Sequence, residues 1–566
     1  MKWLLVLAVW AWGCDSGGAD ADPVQDAAVT DRGRLDEGPA GDATLTDAAP
    51  DAAPDAVPDA TPPDAGGPAC PQPAPANPNE VATAAGLIKG RQEGNVRIFL
   101  GIPFAAPPVG DLRWRAPADP GCLPPAGFEA TRFGPQCPQL DADGAPTGDE
   151  DCLQLNVWAP ATGTGHPVMV FIHGGGNVQG SATVGAAGQI LYDGARLAGP
   201  HDVVVVTLQY RLGALGWLVR PSLADADGRQ GNYALLDEVA ALQWVQAHIE
   251  AFGGNPNQVM IFGESAGAVN VCTLVASPRA AGLFDVSLME SGACLLPTAA
   301  DVERAGREQT EAVGCVGANE AECLRSKTAF ELLTAYPPEV GVASRGSTLQ
   351  PYIDGVVLPD QPETIIRAGR HNRGVFVAGA NSDETAQFVP NIADAAAYEA
   401  AIRAQFGVYA NRVLEAYPLN DFPTAREAMV AVTTDARFVC TTRRAVRAAS
   451  LHGPAYLYHF SQALENAPRL QILGAYHGLE LFFVFQNLEF AGYRPSPAER
   501  ALSVAMGGYW TRLATTGDPN GGDAPVWPTH DAAGDGHLLL DGAGVTPGTG
   551  LRQARCNFWD ALIDGQ

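Results

Sequence analysis

The stretch VMIFGESAGAVNVCTLV, residues 259–275, decides the fold. Val259–Phe262 is a short apolar run, Gly263–Gly267 is a G-x-S-x-G pentapeptide, and Ala268–Val275 is apolar again. The order reads as strand, tight turn, helix. Five letters of this kind recur by chance, so the pattern draws its weight from that context. A turn this tight forces Ser265 into a strained backbone conformation and lifts its Oγ above the sheet edge. Gly263 and Gly267, lacking Cβ atoms, let strand and helix close on each other. The helix N-terminus adds N–H groups and a positive dipole end beside the hydroxyl. Ser265 is the candidate nucleophile.

Other apolar runs repeat the theme. Val168–Ile172 (VMVFI), Val203–Leu208 (VVVVTL) and Val375–Ala378 (VFVA) are apolar without alternation. Such strands are buried on both faces, as in a parallel sheet covered by helices. Between two of them Leu235, Leu236, Val239, Leu242, Val245, Ile249 and Phe252 recur at three- and four-residue steps, and Gly253-Gly254 ends the helix they define. Alternating strand and helix indicate an α/β fold with a large, mainly parallel central sheet. One such sheet accounts for 566 residues better than several small domains.

Directly after Val168–Ile172 comes His173-Gly174-Gly175-Gly176. Consecutive glycines cost chain entropy, so a backbone requirement is expected. Two N–H groups of this loop, with that of Ala266, would make a three-donor site for a developing oxyanion.

With these stretches in place, the chain resembles the type-B carboxylesterases, the esterase/lipase branch of the α/β-hydrolases that includes cholinesterases. The resemblance spans about residues 80–560. It rests on Phe99–Gly110 (FLGIPFAAPPVG), Glu150–Trp158 (EDCLQLNVW), the HGGG loop and Tyr210–Gly216 (YRLGALG). It continues through Gly231–Val245 (GNYALLDEVAALQWV), Phe252–Pro256 (FGGNP), GESAG, Gly379–Glu384 (GANSDE), Ala475–Glu480 (AYHGLE) and Gly517–Asn520 (GDPN). It implies an α/β-hydrolase fold, hydrolysis of carboxylic esters through an acyl-enzyme, small-molecule ester substrates and no cofactor. It implies Ser265 as nucleophile, Glu384 as triad acid, His477 as base, and Gly175, Gly176 and Ala266 as the oxyanion hole. Ser, Glu, His is the usual chain order of the fold. Asp383 stands beside Glu384, and one residue of register would exchange them. The same triad could serve a lipase or an amide or carbamate hydrolase. Relatives that lost the nucleophile are binding proteins, but this chain keeps every element.

The resemblance also implies disulfides Cys137–Cys152, Cys315–Cys323 and Cys440–Cys556. Cys70–Cys122 and Cys272–Cys294 are then left as the remaining pairs among the ten cysteines after Cys14. Departures bear on substrate. Asn177 stands where the residue after HGGG is usually aromatic, and would open or polarise a pocket wall. Phe388 is a second candidate wall residue. The Cys137–Cys152 loop holds no Trp, whereas cholinesterases use a Trp there to hold a quaternary ammonium. Glu290 replaces the commoner Gln.

The N-terminus carries targeting information. Lys2 precedes ten apolar residues (3–12, WLLVLAVWAW), too short for a membrane span and suited to a signal sequence. Ala11-Trp12-Gly13-Cys14 resembles a bacterial lipoprotein box, with Cys14 the lipidated residue; the alternative is an ordinary export signal and a secreted product. The divisions expected are 1–14 signal, 15–78 a Pro/Asp/Ala-rich disordered linker, and 79–566 the folded domain. Residues 15–68 hold 13 acidic against 2 basic side chains and almost nothing apolar and large, too little to offset ordering entropy. The linker would tether the domain to a membrane or act as a passive spacer. A net charge of −28 argues against nucleic acid, whose phosphates need clustered Lys and Arg. An even cysteine set suits an oxidising compartment.

Overall fold

The non-alternating runs form the middle of a mixed sheet. In the computed structural model the described residues are 70–71, 73–186, 189–225, 228, 230–335, 349–531 and 534–565. Cys14, the signal segment and the linker up to residue 69 lie outside them. Eleven strands compose the sheet: β1 (Arg91–Glu93), β2 (Val96–Pro103), β3 (Gln154–Pro160), β4 (His166–Ile172), β5 (Val204–Leu208), β6 (Gly254–Glu264), β7 (Val286–Glu290), β8 (Val375–Asn381), β9 (Ala455–Phe460), β10 (Gly536–Asp541) and β11 (Gly544–Thr549). Their order is β11-β10-β9-β8-β7-β6-β4-β5-β3-β2-β1.

From β5 through β4, β6, β7, β8 and β9 to β10 every pairing is parallel. The flanks β5-β3-β2-β1 and β10-β11 are antiparallel. Gly544–Thr549 is therefore an edge strand. Antiparallel strands there can be joined by short turns and need only one well-covered face.

Burial explains the sequence pattern. Val168, Val170, Ile172, Val204, Val206, Val259 and Ile261 pack on one face against α1 (Tyr233–His248) and α2 (Ala266–Ala276). The intervening Met169, Phe171, Val205, Met260 and Phe262 pack on the other, in one cluster with α4 (Glu480–Val484), Phe485 and residues of α5 (Pro497–Thr516). Successive side chains of a strand point to opposite faces, and here both faces are core. Local signals place the helices. Ser496 caps α5 in a capping box with Glu499, Pro497 opens it, and Gly517 closes it at φ 73°. The helix over 233–248 ends in a short 3-10 turn, Ile249–Phe252, and Gly253 at φ 93°.

Five disulfides link described residues: Cys70–Cys122, Cys137–Cys152, Cys272–Cys294, Cys315–Cys323 and Cys440–Cys556. Cys440 opens α3 (Cys440–Ala449), and Cys556 lies in α6 (Gln553–Ile563). Because β4, β6, β7 and β8 run parallel, their carboxyl ends share one edge. Gly174–Gly176, Ser265, Ser291 and Glu384 all follow those ends, where open α/β sheets bind ligands.

Candidate active site

The elbow after β6 is built by steric need. Ser265 sits at φ 59°, ψ −120°, a conformation that costs an L-residue energy and persists only when its surroundings impose it. A Cβ on Gly267 would stand 2.1 Å from the Ile172 carbonyl oxygen, and one on Gly263 2.7 Å from that of Gly267. Both positions therefore require glycine. The Ser265 N–H donates to the Glu290 carbonyl (2.9 Å), and the Ser265 carbonyl accepts from Val269 N–H (3.1 Å). The side chain is half-buried.

The glycine loop lies against this elbow. A Cβ on Gly174 would be 2.9 Å from the Ser265 Cβ, and one on Gly175 2.1 Å from the Gln179 carbonyl oxygen. Gly175 and Gly176 take φ 105° and 64°. The Tyr210 hydroxyl donates to the His173 carbonyl (2.7 Å), and Gly213 N–H to that of Asn177 (2.8 Å). Among the described residues nothing accepts from the N–H groups of Gly175, Gly176 or Ala266. For Ala266 this follows from its place at the first position of a helix.

Glu384 and His477 meet. The Nδ1–H of His477 donates to Glu384 Oε2 at 2.6 Å, while Glu384 Oε1 accepts from Asn381 N–H at 2.7 Å. Glu384 is fully buried. Asp383, its neighbour in sequence, instead accepts from the Ser382 hydroxyl and from Ala475 N–H. The structure thus sets Glu384, not Asp383, on the imidazole. His477 Nε2 lies 3.2 Å from Glu264 Oε1, without the angle of a hydrogen bond. No hydrogen bond joins Ser265 Oγ to His477 among the described residues.

Four buried carboxyls surround this point: Glu264, Glu290, Glu384 and Glu480. Burial opposes the charge on His477, but Glu264, Glu384 with its hydrogen bond, and Glu480 outweigh it and hold the imidazole above its ordinary pKa. Burial, followed by neighbouring carboxylates, pushes Glu264 and Glu480 upward; His477 pulls both back in part. Glu480 accepts from the Ser291 hydroxyl (3.0 Å) and from the Asn381 amide. Burial and then Glu480 push Glu290 well up, and its Oε1 accepts from Trp510 Nε1 (2.8 Å).

Asn177, expected to open or polarise a pocket wall, is buried. Its φ of 61° turns it inward, it is 1 % exposed, and its amide pairs with that of Asn270. Phe388 does stand by the site, its ring 6.0 Å from that of His477. Sequence reading missed Phe438, whose ring is 4.9 Å from His477, together with Glu264 and Glu480. Glu480, three residues after His477, and Glu264, beside Ser265, had an adjacency signal. Phe438 had none: it arrives on a π-helical turn, Asp435–Val439, and such turns are frequent at functional sites.

A profile of the carboxylesterase family matches residues 77–559. The chain belongs to the carboxylesterase family. Para-nitrobenzyl esterase of Bacillus subtilis (strain 168) is 35 % identical to this carboxylesterase over 482 residues, covering 81 % of the chain and 94 % of that protein. Carboxylesterase 1C of Rattus norvegicus is 35 % identical over 547 residues, covering 86 % and 94 %. The solved structure of a PNB esterase superposes with a TM-score of 0.75 at 32 % identity, covering 85 % of this chain and all of the other. The fold is that of the α/β-hydrolases.

Proposed function

We propose that this carboxylesterase hydrolyses carboxylic esters by two-step acyl transfer, with Ser265 as nucleophile, His477 as base and Glu384 as the acid that holds it. One observation carries the assignment. Glu384 fixes His477 through Nδ1, which leaves Nε2 free of that bond and 3.2 Å from Oε1 of Glu264, the residue before Ser265. A serine hydroxyl is a weak nucleophile until a base takes its proton. Nε2, deprotonated, takes that proton as Oγ bonds to the ester carbon. The carbonyl π electrons move to oxygen, and the N–H groups of Gly175, Gly176 and Ala266 receive the oxyanion. As the carbon–oxygen bond to the alcohol breaks, His477 returns the proton to the leaving alkoxide. Water then repeats the sequence on the acyl-serine and releases the acid. The Ser265 to His477 contact, open here, closes with substrate in place, as such contacts commonly do.

Neutral alcohols suit the surroundings better than choline. The Cys137–Cys152 loop has no Trp to hold a quaternary ammonium.

The test is p-nitrophenol release from short acyl esters by wild type and Ser265→Ala. Turnover by wild type and its loss in the variant are expected. An inert wild type, or an active Ser265→Ala, would sink the assignment.

Five disulfides place the folded unit in an oxidising compartment, and no described helix is long and apolar enough to cross a membrane. The finer reading is a signal over 1–14, lipidation at Cys14 and a tether over 15–78 ahead of the catalytic unit, 79–566. Ala11-Trp12-Gly13-Cys14 and the Pro/Asp/Ala repeat support it. Mass spectrometry of the mature N-terminus checks it: a diacylglyceryl Cys14 is expected, and an unmodified soluble product would exclude the anchor.

A further inference from the structure

The oxyanion donors come from two separate elements, and a buried pair of amides connects them. Gly175 and Gly176 lie on the loop after β4, and Asn177 follows them directly. Ala266 opens α2, and Asn270 stands four residues later, one turn along the same helix face. Asn270 Nδ2 donates to Asn177 Oδ1 (3.0 Å), and Asn177 Nδ2 donates back to Asn270 Oδ1 (3.3 Å). The second Asn270 hydrogen goes to Glu238 Oε1 on α1 at 2.7 Å. Both asparagines are buried, at 1 % and 0 % exposure.

We infer that Asn177 and Asn270 are positioning residues that hold the two halves of the oxyanion site at a fixed separation. The inference rests on the assignment of Gly175, Gly176 and Ala266 proposed above. Helix formation does not call for this arrangement, because Asn inside a helix is less favourable than Ala. Nor does burial, because amides leave water at a cost that only good pairing offsets. The pair does supply direction. An apolar side chain at 177 could slide over α2, whereas two reciprocal hydrogen bonds fix one orientation. The left-handed backbone at Asn177, which Asn tolerates better than most residues, aims its amide at α2, and its carbonyl is held by Gly213 N–H.

Two variants of the full chain test this. Asn177→Gly keeps the left-handed backbone and removes the amide. Asn270→Ala removes the partner and favours the helix. Active sites are counted by titration with a p-nitrophenyl phosphonate, and kcat and KM are measured on a p-nitrophenyl ester beside wild type and Ser265→Ala. Each variant should lose roughly 10- to 100-fold in kcat per titrated site, less than deletion of a donor outright, with KM little changed. Affinity for a trifluoromethyl ketone, which mimics the tetrahedral state, should fall by the same factor as kcat/KM. The double variant should be no worse than the poorer single one, as coupled residues require. Full kcat per site in either folded variant overturns the inference. So does failure of both to fold, which would make the pair a stability element. An active Ser265→Ala would overturn the nucleophile assignment and, with it, the inference that rests on it, whatever the asparagine variants show.

Discussion

Glu384 and Asp383 are neighbours in the chain and hold unlike environments. Glu384 accepts the His477 Nδ1–H, and Asp383 closes a turn onto Ala475. Glu384→Gln would offer Nδ1 the wrong partner and should lower kcat roughly 1000-fold or more. Asp383→Asn should cost less than about tenfold, since it alters turn bonds only. Steady-state kinetics decide it, and the reverse ranking would reassign the acid. Glu264 governs pH response. His477 must lose its Nε2 proton to act, and the surrounding carboxylates hold its pKa above the ordinary imidazole value. Activity should therefore fall as pH drops, along a limb lying above that value. Glu264→Gln removes a carboxylate 3.2 Å from Nε2, which destabilises the imidazolium. Its acid limb in kcat/KM should move to lower pH; a limb that stays or moves up contradicts this electrostatic account. Ser265 was legible in sequence through its own pentapeptide. The paired state of Asn177 was not, because Asn270 lies 93 residues away and only the fold brings them together.

Among elements, the junction of β6 and α2 tolerates little change. The Gly267 Cα faces the Ile172 carbonyl oxygen so closely that a methyl group would stand 2.1 Å from it, and neither atom belongs to a flexible side chain. Gly267→Ala should destabilise by about 3 kcal/mol or more, in the range of severe overpacking, and abolish ester turnover. Denaturant unfolding and p-nitrophenol release measure both, and near-normal stability would show that the elbow can relax. β4, β5, β6 and β8 were readable because strands buried on both faces leave uninterrupted apolar runs. The edge strand β11 was not: Gly544–Thr549 carries glycine, proline and threonine, and only its pairing with β10 makes it a strand. The antiparallel flank β3-β2-β1 was likewise invisible locally, since direction is set by partners far along the chain.

For the whole molecule, covalent ties and the sheet edge matter together. Cys440–Cys556 spans 116 residues and clamps α6 to α3. Replacing both by Ser should cost about 2–5 kcal/mol, seen as a lower melting temperature under non-reducing conditions; an unchanged melting temperature would show that packing alone holds α6. The disulfide pairings were legible because the resemblance implied three and left two. The carboxyl cluster at His477 was legible only in part: Glu264 and Glu480 adjoin Ser265 and His477 in sequence, but their meeting with Glu384 depends on parallel strands ending at one edge. That convergence bears on a single atom, Ser265 Oγ. The most direct measurement labels the intact chain with a p-nitrophenyl phosphonate, digests it and maps the adduct by mass spectrometry. The expected result is one adduct, on Ser265, absent from Ser265→Ala and formed far more slowly in His477→Ala. An adduct on another residue, or undiminished labelling of Ser265→Ala, would contradict the assignment.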